Sequence, residues 1–452
     1  GIHIETDIDK RAAAARCNGP GIDQCPVFIA AGEPFPVRFR AVGWDGSDTE
    51  PHTAQELANN VSTPNFALNA ASGAFKLEQT LIAPGGGNPG VLGVNAYDHA
   101  RGDFTTVAAQ SISEVGIFKL KARLSEGVSY FGEPVEGGES NLIGRFIPAR
   151  LGVAGTARLA SSCGPFSYQG QPMGFASGAE PQIRVTAYNS AGVVTRNYDI
   201  APFWRLGSPQ REAYRSITGK AGLDSRLVAL GSATETVEEA DTGDGSRLYR
   251  WAGEQLSYTP AVTPTSDDIP FVAAVEQTLT AGGLTDLDGA CHSSVGSGCQ
   301  AYSYPFAAGS EVRLGRLVLG NAHGSELQGL DLPLSIETWQ TLGTAPGFRL
   351  EAGDQCTTAA TLGQITLQAH GGEIAPSDTT ASLVMPAGGQ GTLSLTAPGQ
   401  GNDGSLKVGL PSMPDWFRYN WSGNGREPAS GLASFGIYRG SPPLIFRREV
   451  YR

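Results

Sequence analysis

The sequence predicts an all-β chain of tandem antiparallel immunoglobulin-like β-sandwich domains carrying few short helices. Three observations predict it. Apolar and polar residues alternate with period two in many short runs, as strands with one buried and one wet face require. Turn formers separate those runs, with 61 Gly and 29 Pro among 452 residues, a turn-rich composition that stops short of low-complexity disorder. Helices of roughly 10 to 15 residues do not alternate with the strands, which argues against a parallel α/β fold and for Greek-key sandwiches.

The elements follow in chain order. An Ala-rich stretch over residues 9–16 and a segment over 53–61, opened by the N-cap-like Thr53, predict helices of one or two turns that decorate loops. Strands are predicted over residues 37–42, 118–124, 182–188, 364–369, 406–410 and 435–438, each bounded by Gly, Pro, Asn or Asp. The clearest is Phe118-Lys119-Leu120-Lys121-Ala122-Arg123-Leu124, where apolar and basic residues alternate strictly. Gly85, Gly87 and Gly90 satisfy G-x-G-x-x-G, yet Pro89 sits among them and no helix follows to aim its N-terminus at a phosphate. A flexible turn is the expectation there.

An internal echo places the boundaries. Cys25-Pro-Val-Phe28-Ile-Ala-Ala-Gly32-Glu-Pro34 matches Cys163-Gly-Pro-Phe166-Ser-Tyr-Gln-Gly170-Gln-Pro172 with four identities in register, and an alternating run follows each copy. Two related sandwiches are expected, 1–147 and 148–310, the second with long loops, and a third strand-rich domain over 311–452. The Pro-, Thr- and Ser-rich stretch 256–268 reads as a linker or long loop.

Six cysteines, at 17, 25, 163, 291, 299 and 356, form no C-x-x-C pair of the kind zinc or redox sites use. Cys17 with Cys25 and Cys291 with Cys299 each bracket a turn-rich interval that a disulfide can close, leaving Cys163 and Cys356 as a long-range pair. Six cysteines allow 15 connectivities, and six buried thiols in a cytoplasmic protein is the other reading. Oxidised, exported protein is the expectation.

Charge and motifs exclude more than they offer. Only 17% of residues are charged and the net charge is −12, a poor match for nucleic acid. No apolar run approaches the roughly 18 residues of a membrane-spanning helix. No G-x-S-x-G or H-E-x-x-H occurs, Gly219-Lys220 lacks Walker spacing, and the six histidines are scattered. No catalytic residue and no cofactor is expected. Calcium is the exception weighed: Asp286 and Asp288, and Asp241 and Asp244, lie in acidic Gly-containing turns with oxygens at alternate positions, though Asx-turns in hairpins account for both more simply. Trp416 and Trp421, with Tyr419, cluster beside polar turns and form a candidate exposed docking patch.

Three segments carry a resemblance. They are Cys163 to Pro172 leading into Val185-Thr-Ala-Tyr-Asn189; Arg313-Leu-Gly-Arg-Leu-Val-Leu-Gly-Asn-Ala-His-Gly-Ser-Glu326 followed by Leu332-Pro-Leu334; and Trp416-Phe-Arg-Tyr-Asn-Trp-Ser-Gly-Asn-Gly425 with Ala433-Ser-Phe-Gly-Ile-Tyr-Arg-Gly440 and the tail Arg448-Glu-Val-Tyr451. Over 148–452 the chain resembles the C-terminal region of MshQ-type proteins, encoded with the mannose-sensitive haemagglutinin type IV pilus of Gram-negative bacteria. The resemblance implies an exported, non-enzymatic surface protein that serves pilus biogenesis or adhesion, with pilus subunits or other surface proteins as partners. Host or surface glycans enter if the chain is instead a lectin-like module, and an extracellular filament subunit is a further alternative. Family members often carry acidic residues where Asn420, Ser422 and Asn424 stand here.

Overall fold

The computed structural model describes residues 1–49, 52–67, 73–132, 135, 137–294, 296–307, 309–343, 345–385 and 388–436. Its strands assemble into three successive sandwiches. In the first, Ile2–Thr6, Phe35–Ala41 and Thr105–Gln110 form one antiparallel sheet. The other joins Ala96–Asp98, Ala74–Ala83, Gly116–Leu124 and Gly138–Glu139, with Ile143–Phe146 also on Gly116–Leu124. Alternation decides which side is core: Phe118, Leu120 and Ala122 are fully buried beside Ile4, Phe39 and Phe75, while the intervening lysines point outward. Hydrogen bonding thus carries the first sandwich through Phe146.

The second sandwich sets Thr234–Glu238, Ser246–Ala252, Gln182–Tyr188 and Arg150–Thr156 against Arg215–Ser216, Val275–Leu279 and Tyr302–Pro305, closing over Ile183, Val185, Trp251 and Tyr304. The third sets Gly315–Leu319, Leu330–Leu342, Gln390–Leu395 and Ala381–Val384, with Ala345–Leu350 on Leu330–Leu342, against Ala322–Gly324, Ser430–Phe435, Gly404–Gly409 and Thr366–Gly372. The all-β class read from period-two patterning is what these sheets show. No described helix is long and apolar enough to cross a membrane.

The sulfurs are joined as Cys17–Cys25, Cys163–Cys356 and Cys291–Cys299, bonds of a kind that persist in oxidising surroundings. Buried polar groups lock neighbouring sandwiches. Glu114 accepts from the backbone N–H groups of Arg196 and Asn197 at 3.0 and 3.1 Å. Arg145 forks onto Asp288, and both side chains are under a tenth exposed.

Several expectations need correction. The 9–16 stretch supplies only the 3-10 turn Ala13–Ala15, which has no side-chain cap. By contrast Ala54–Asn59 is a helix because Thr53 and Glu56 cap each other reciprocally. The strand expected over 364–369 begins two residues later, since the helix Ala359–Leu362 ends on Gly363 at φ +76° and the chain must recover from that turn. The last strand runs Ser430–Phe435, and residues 437–438 of the expected one, with the tail 448–451, lie outside the described residues. The glycine turn at 85–90 is anchored: Asn88 donates its N–H to Asn197 Oδ1 at 2.6 Å and accepts from Asn197 Nδ2 at 2.8 Å.

Nor is 256–268 a free linker. It starts within the strand Gln255–Tyr258 and ends at Asp268, which is 1% exposed and paired with Arg226 at 2.6 Å. The two copies of the echo share a local turn, with Gly32 and Gly170 both in the left-handed region at φ +82° and +90°. Their destinations differ. Phe28 packs in the first core, whereas Phe166–Tyr168 pairs with Glu311–Arg313 and enters the third.

Candidate functional site

The third sandwich builds its most distinctive surface around Arg316. The strand Gly315–Leu319 buries Leu317 and Leu319, so Arg316 must face outward. Glu337 lies directly opposite in the register, and its Oε2 accepts from both Arg316 Nε and Nη2 at 2.9 and 2.7 Å, two bonds that orient the guanidinium. Two residues on, Trp339 faces Phe348 across the hairpin with ring centroids 5.1 Å apart. Phe348 meets Tyr419 at 5.1 Å, and Tyr419 meets Trp421 at 5.0 Å. The Arg316 guanidinium carbon stands 3.8 Å from the Phe348 centroid, 4.9 Å from Tyr419 and 5.1 Å from Trp421. One cation is therefore shared by three ring faces.

Local structure sets each ring. Tyr419 and Glu427 exchange backbone hydrogen bonds at 3.0 and 2.8 Å, closing a small loop that presents Trp421 at 42% exposure. The Ser422 hydroxyl donates to the Glu427 carboxylate within that loop. The Trp339 indole N–H donates to the Thr265 carbonyl at 2.9 Å, so the 256–268 loop braces the ladder from behind. A partly apolar surface whose cation is oriented by Glu337 can dock a partner.

The sequence grouped Trp416 with Tyr419 and Trp421, and the structure separates them. In the single turn Asp415–Phe417, Phe417 enters the core, and Trp416 packs partly buried beside it and against Gly170. Arg316, Glu337, Trp339 and Phe348 were missed, being 70 to 105 residues away in the chain. The available signal was the alternation of the run 315–319, which exposes Arg316.

The four calcium candidates sit at two separate places, and their carboxylates hold the fold together. Asp286 is buried and accepts from the Tyr198 hydroxyl at 2.7 Å and from the N–H groups of Asp288 and Ala290, and burial pushes its carboxyl above the usual range. Asp288 carries the Arg145 pair. Asp241 pairs with Arg247 at 3.1 Å, and Asp244 accepts from the Ser246 N–H and hydroxyl in an Asx-turn. Among the described residues, Cys163, Asp354 and Cys356 bring potential metal-ligand atoms within 4.8 Å of one another. The two sulfurs are consumed in their disulfide, and metals bind the thiolate. Asp354 accepts from the Tyr168 hydroxyl at 2.6 Å and from Thr357.

Three family models match in chain order: DUF6701, second domain, over residues 1–110; DUF6701, third domain, over 114–305; and DUF6701, fourth domain, over 313–450. The chain belongs to the DUF6701 family. The edge of the DUF6701 third domain falls before Gly116–Leu124, a strand that hydrogen-bonds to Ala74–Ala83 of the second, so the two are interlaced in the first sandwich. No curated protein matches this DUF6701 chain. Among solved structures it is similar to the I9-I11 tandem from titin, at 8% identity over 91% of this chain and 97% of that one, with a TM-score of 0.24. It is also similar to Dpr2 Ig1-Ig2 in complex with DIP-Theta Ig1-Ig3, at 9% identity over 63% and 98%, with a TM-score of 0.17. Likeness that loose brings no function to the DUF6701 chain, whose fold class rests on its own sheets.

Proposed function

We propose that this chain is a non-enzymatic extracellular protein whose tandem sandwiches hold a docking surface away from the cell, in association with a type IV pilus of the mannose-sensitive haemagglutinin kind. The observation that carries the reading is the ladder of Trp339, Phe348, Tyr419 and Trp421 around Arg316. Trp, Tyr and Arg dominate the energetics of protein interfaces, and here they are pre-ordered, which lowers the entropy a partner must overcome. Three disulfides and the polar locks between sandwiches suit a protein that must keep its shape outside the cell. The pilus itself comes from the sequence resemblance.

Co-sedimentation of the purified chain with isolated type IV pili tests the proposal. The chain is expected in the pellet, and Trp421→Ala or Phe348→Ala should weaken binding about tenfold, the equivalent of about 1.4 kcal/mol. A chain that stays in the supernatant at every concentration removes the pilus association. The second reading, a lectin-like module, is favoured by the exposed Trp421 ring beside Asn420, Ser422 and Glu427. Binding to neutral sugars on a glycan array, lost in Trp421→Ala, would replace the first reading with this one.

A further inference from the structure

A second site lies on the first sandwich, independent of the aromatic ladder. A half-open cleft of about 880 Å³ runs along the outer face of Gly116–Leu124, within the size range of small-ligand sites. Lys119 and Lys121 rise from its floor, and the start of the Ala54–Asn59 helix and the disulfide loop of Cys17–Cys25 form its walls. The hydrogen-bonding capacity left open there is one-sided in charge. Both lining carboxylates are engaged: Asp9 accepts from the Thr6 N–H at 2.7 Å and Asn141 Nδ2 at 2.8 Å, and Glu139 holds Lys119 at 3.3 Å. Arg16 uses only its Nε, on the Arg11 carbonyl. Among the described residues its two Nη groups, the Lys121 ammonium and the Gln55 amide have no bonding partner.

Neutral acceptors stand beside these cations. Asn18 and Asn141 commit their amide nitrogens to the protein, which leaves both Oδ1 atoms to receive protons from a ligand. Free cations call for an anionic group, and free amide oxygens call for hydroxyls. Inorganic phosphate or sulfate fully ionised would supply only the first. Among the described residues the only aromatic ring lining the cleft is the His52 imidazole, and no Trp, Tyr or Phe is there to stack a base or seat the hydrophobic anchor of a peptide. We propose that this cleft binds an acidic oligosaccharide, its carboxylate or sulfate on Lys121 and Arg16 and its hydroxyls on Asn18 and Asn141.

Isothermal titration of the full chain with four probes tests this: a mannuronate hexasaccharide, a sulfated heparin hexasaccharide, maltohexaose and inorganic sulfate. Lys121→Glu is exposed and breaks no bond, so the fold should survive, and circular dichroism checks that. One or both acidic hexasaccharides should bind, more weakly as salt rises, while maltohexaose does not. Lys121→Glu should cost at least tenfold in affinity. Lys407→Glu, the same charge change at an exposed position on the third sandwich, should cost nothing. The proposal is overturned if neither acidic probe binds, if maltohexaose binds equally, if sulfate alone matches the hexasaccharides, or if the two lysine variants behave alike.

Discussion

Asp288 shows how far a residue's role depends on what faces it. In the sequence it is one acid in a turn, yet in the fold it neutralises Arg145, whose Nε also donates to the Cys25 carbonyl at 3.2 Å. Arg145 ends the first sandwich and Asp288 belongs to the second, so removing the carboxylate strands a buried cation at the junction. Asp288→Ala should lower the unfolding free energy by about 3–5 kcal/mol, whereas Asp244→Ala, which loses an exposed turn cap, should cost about 1 kcal/mol. Urea denaturation of both variants checks the contrast, and equal costs would refute the junction role. Glu114 adds a pH dependence at the same junction. It is 2% exposed, and burial raises its carboxyl above the ordinary 4.5 despite three backbone donors. The folded chain therefore holds this proton more tightly than the unfolded one. That contribution is complete below the unfolded value and is lost as pH rises through the folded one. Relative to Glu114→Gln, whose amide imposes a pH-independent cost, the wild type should lose stability as pH rises from the ordinary carboxyl value of 4.5 through the raised folded one. A constant difference across that range would contradict the assignment.

At the scale of elements, the three disulfides should be unequal. Loop-closure entropy grows with the logarithm of the loop, so Cys163–Cys356, with a sequence separation of 193, constrains the unfolded chain more than the two bonds of separation 8. The double variant Cys163→Ser/Cys356→Ser should lose about 5 kcal/mol, against about 2.5 kcal/mol for Cys17→Ser/Cys25→Ser, measured by urea unfolding. What sequence could disclose about these elements follows the same local-versus-distant divide. Gln182–Tyr188 was legible to the residue, because a strand buried on one face writes its period into its own seven positions. The short helix at 54–59 was legible from Thr53 because capping is local. The 3-10 turn at 13–15 was overestimated, since Ala propensity without a cap or a buried face does not hold a helix. Within the aromatic ladder, Tyr419 and Trp421 showed their proximity, whereas Arg316 and Trp339 reach them only through the register of Gly315–Leu319 on Leu330–Leu342. Register is decided by the opposing sheet, which no window around Arg316 contains.

The molecule as a whole is less modular than a chain of sandwiches suggests. Phe166 and Tyr168 are fully buried, but the core they fill contains Leu317, Leu332 and Phe417 of the third sandwich. Tyr168 meets Phe417 edge-on at 4.8 Å and lies so close to Gly315 that a Cβ there would fall 2.6 Å from its ring. Arg313 stands 4.0 Å over Phe166, and the Tyr168 hydroxyl bonds Asp354. A cut between 310 and 311 would therefore remove two core aromatics, each worth about 3–5 kcal/mol when truncated to Ala, from a domain whose total stability is about 5–15 kcal/mol. It would also orphan Cys356 and deprive the Asp354 carboxylate of the Tyr168 hydroxyl, leaving it the Thr357 donors. Residues 311–452 expressed alone should show no sigmoidal urea transition and little near-ultraviolet circular dichroism, while 148–452, which restores the inserted strand, should show both. A cooperative transition in the shorter piece, with a midpoint close to that of the longer, would mean that the third sandwich closes its core without its neighbour's strand.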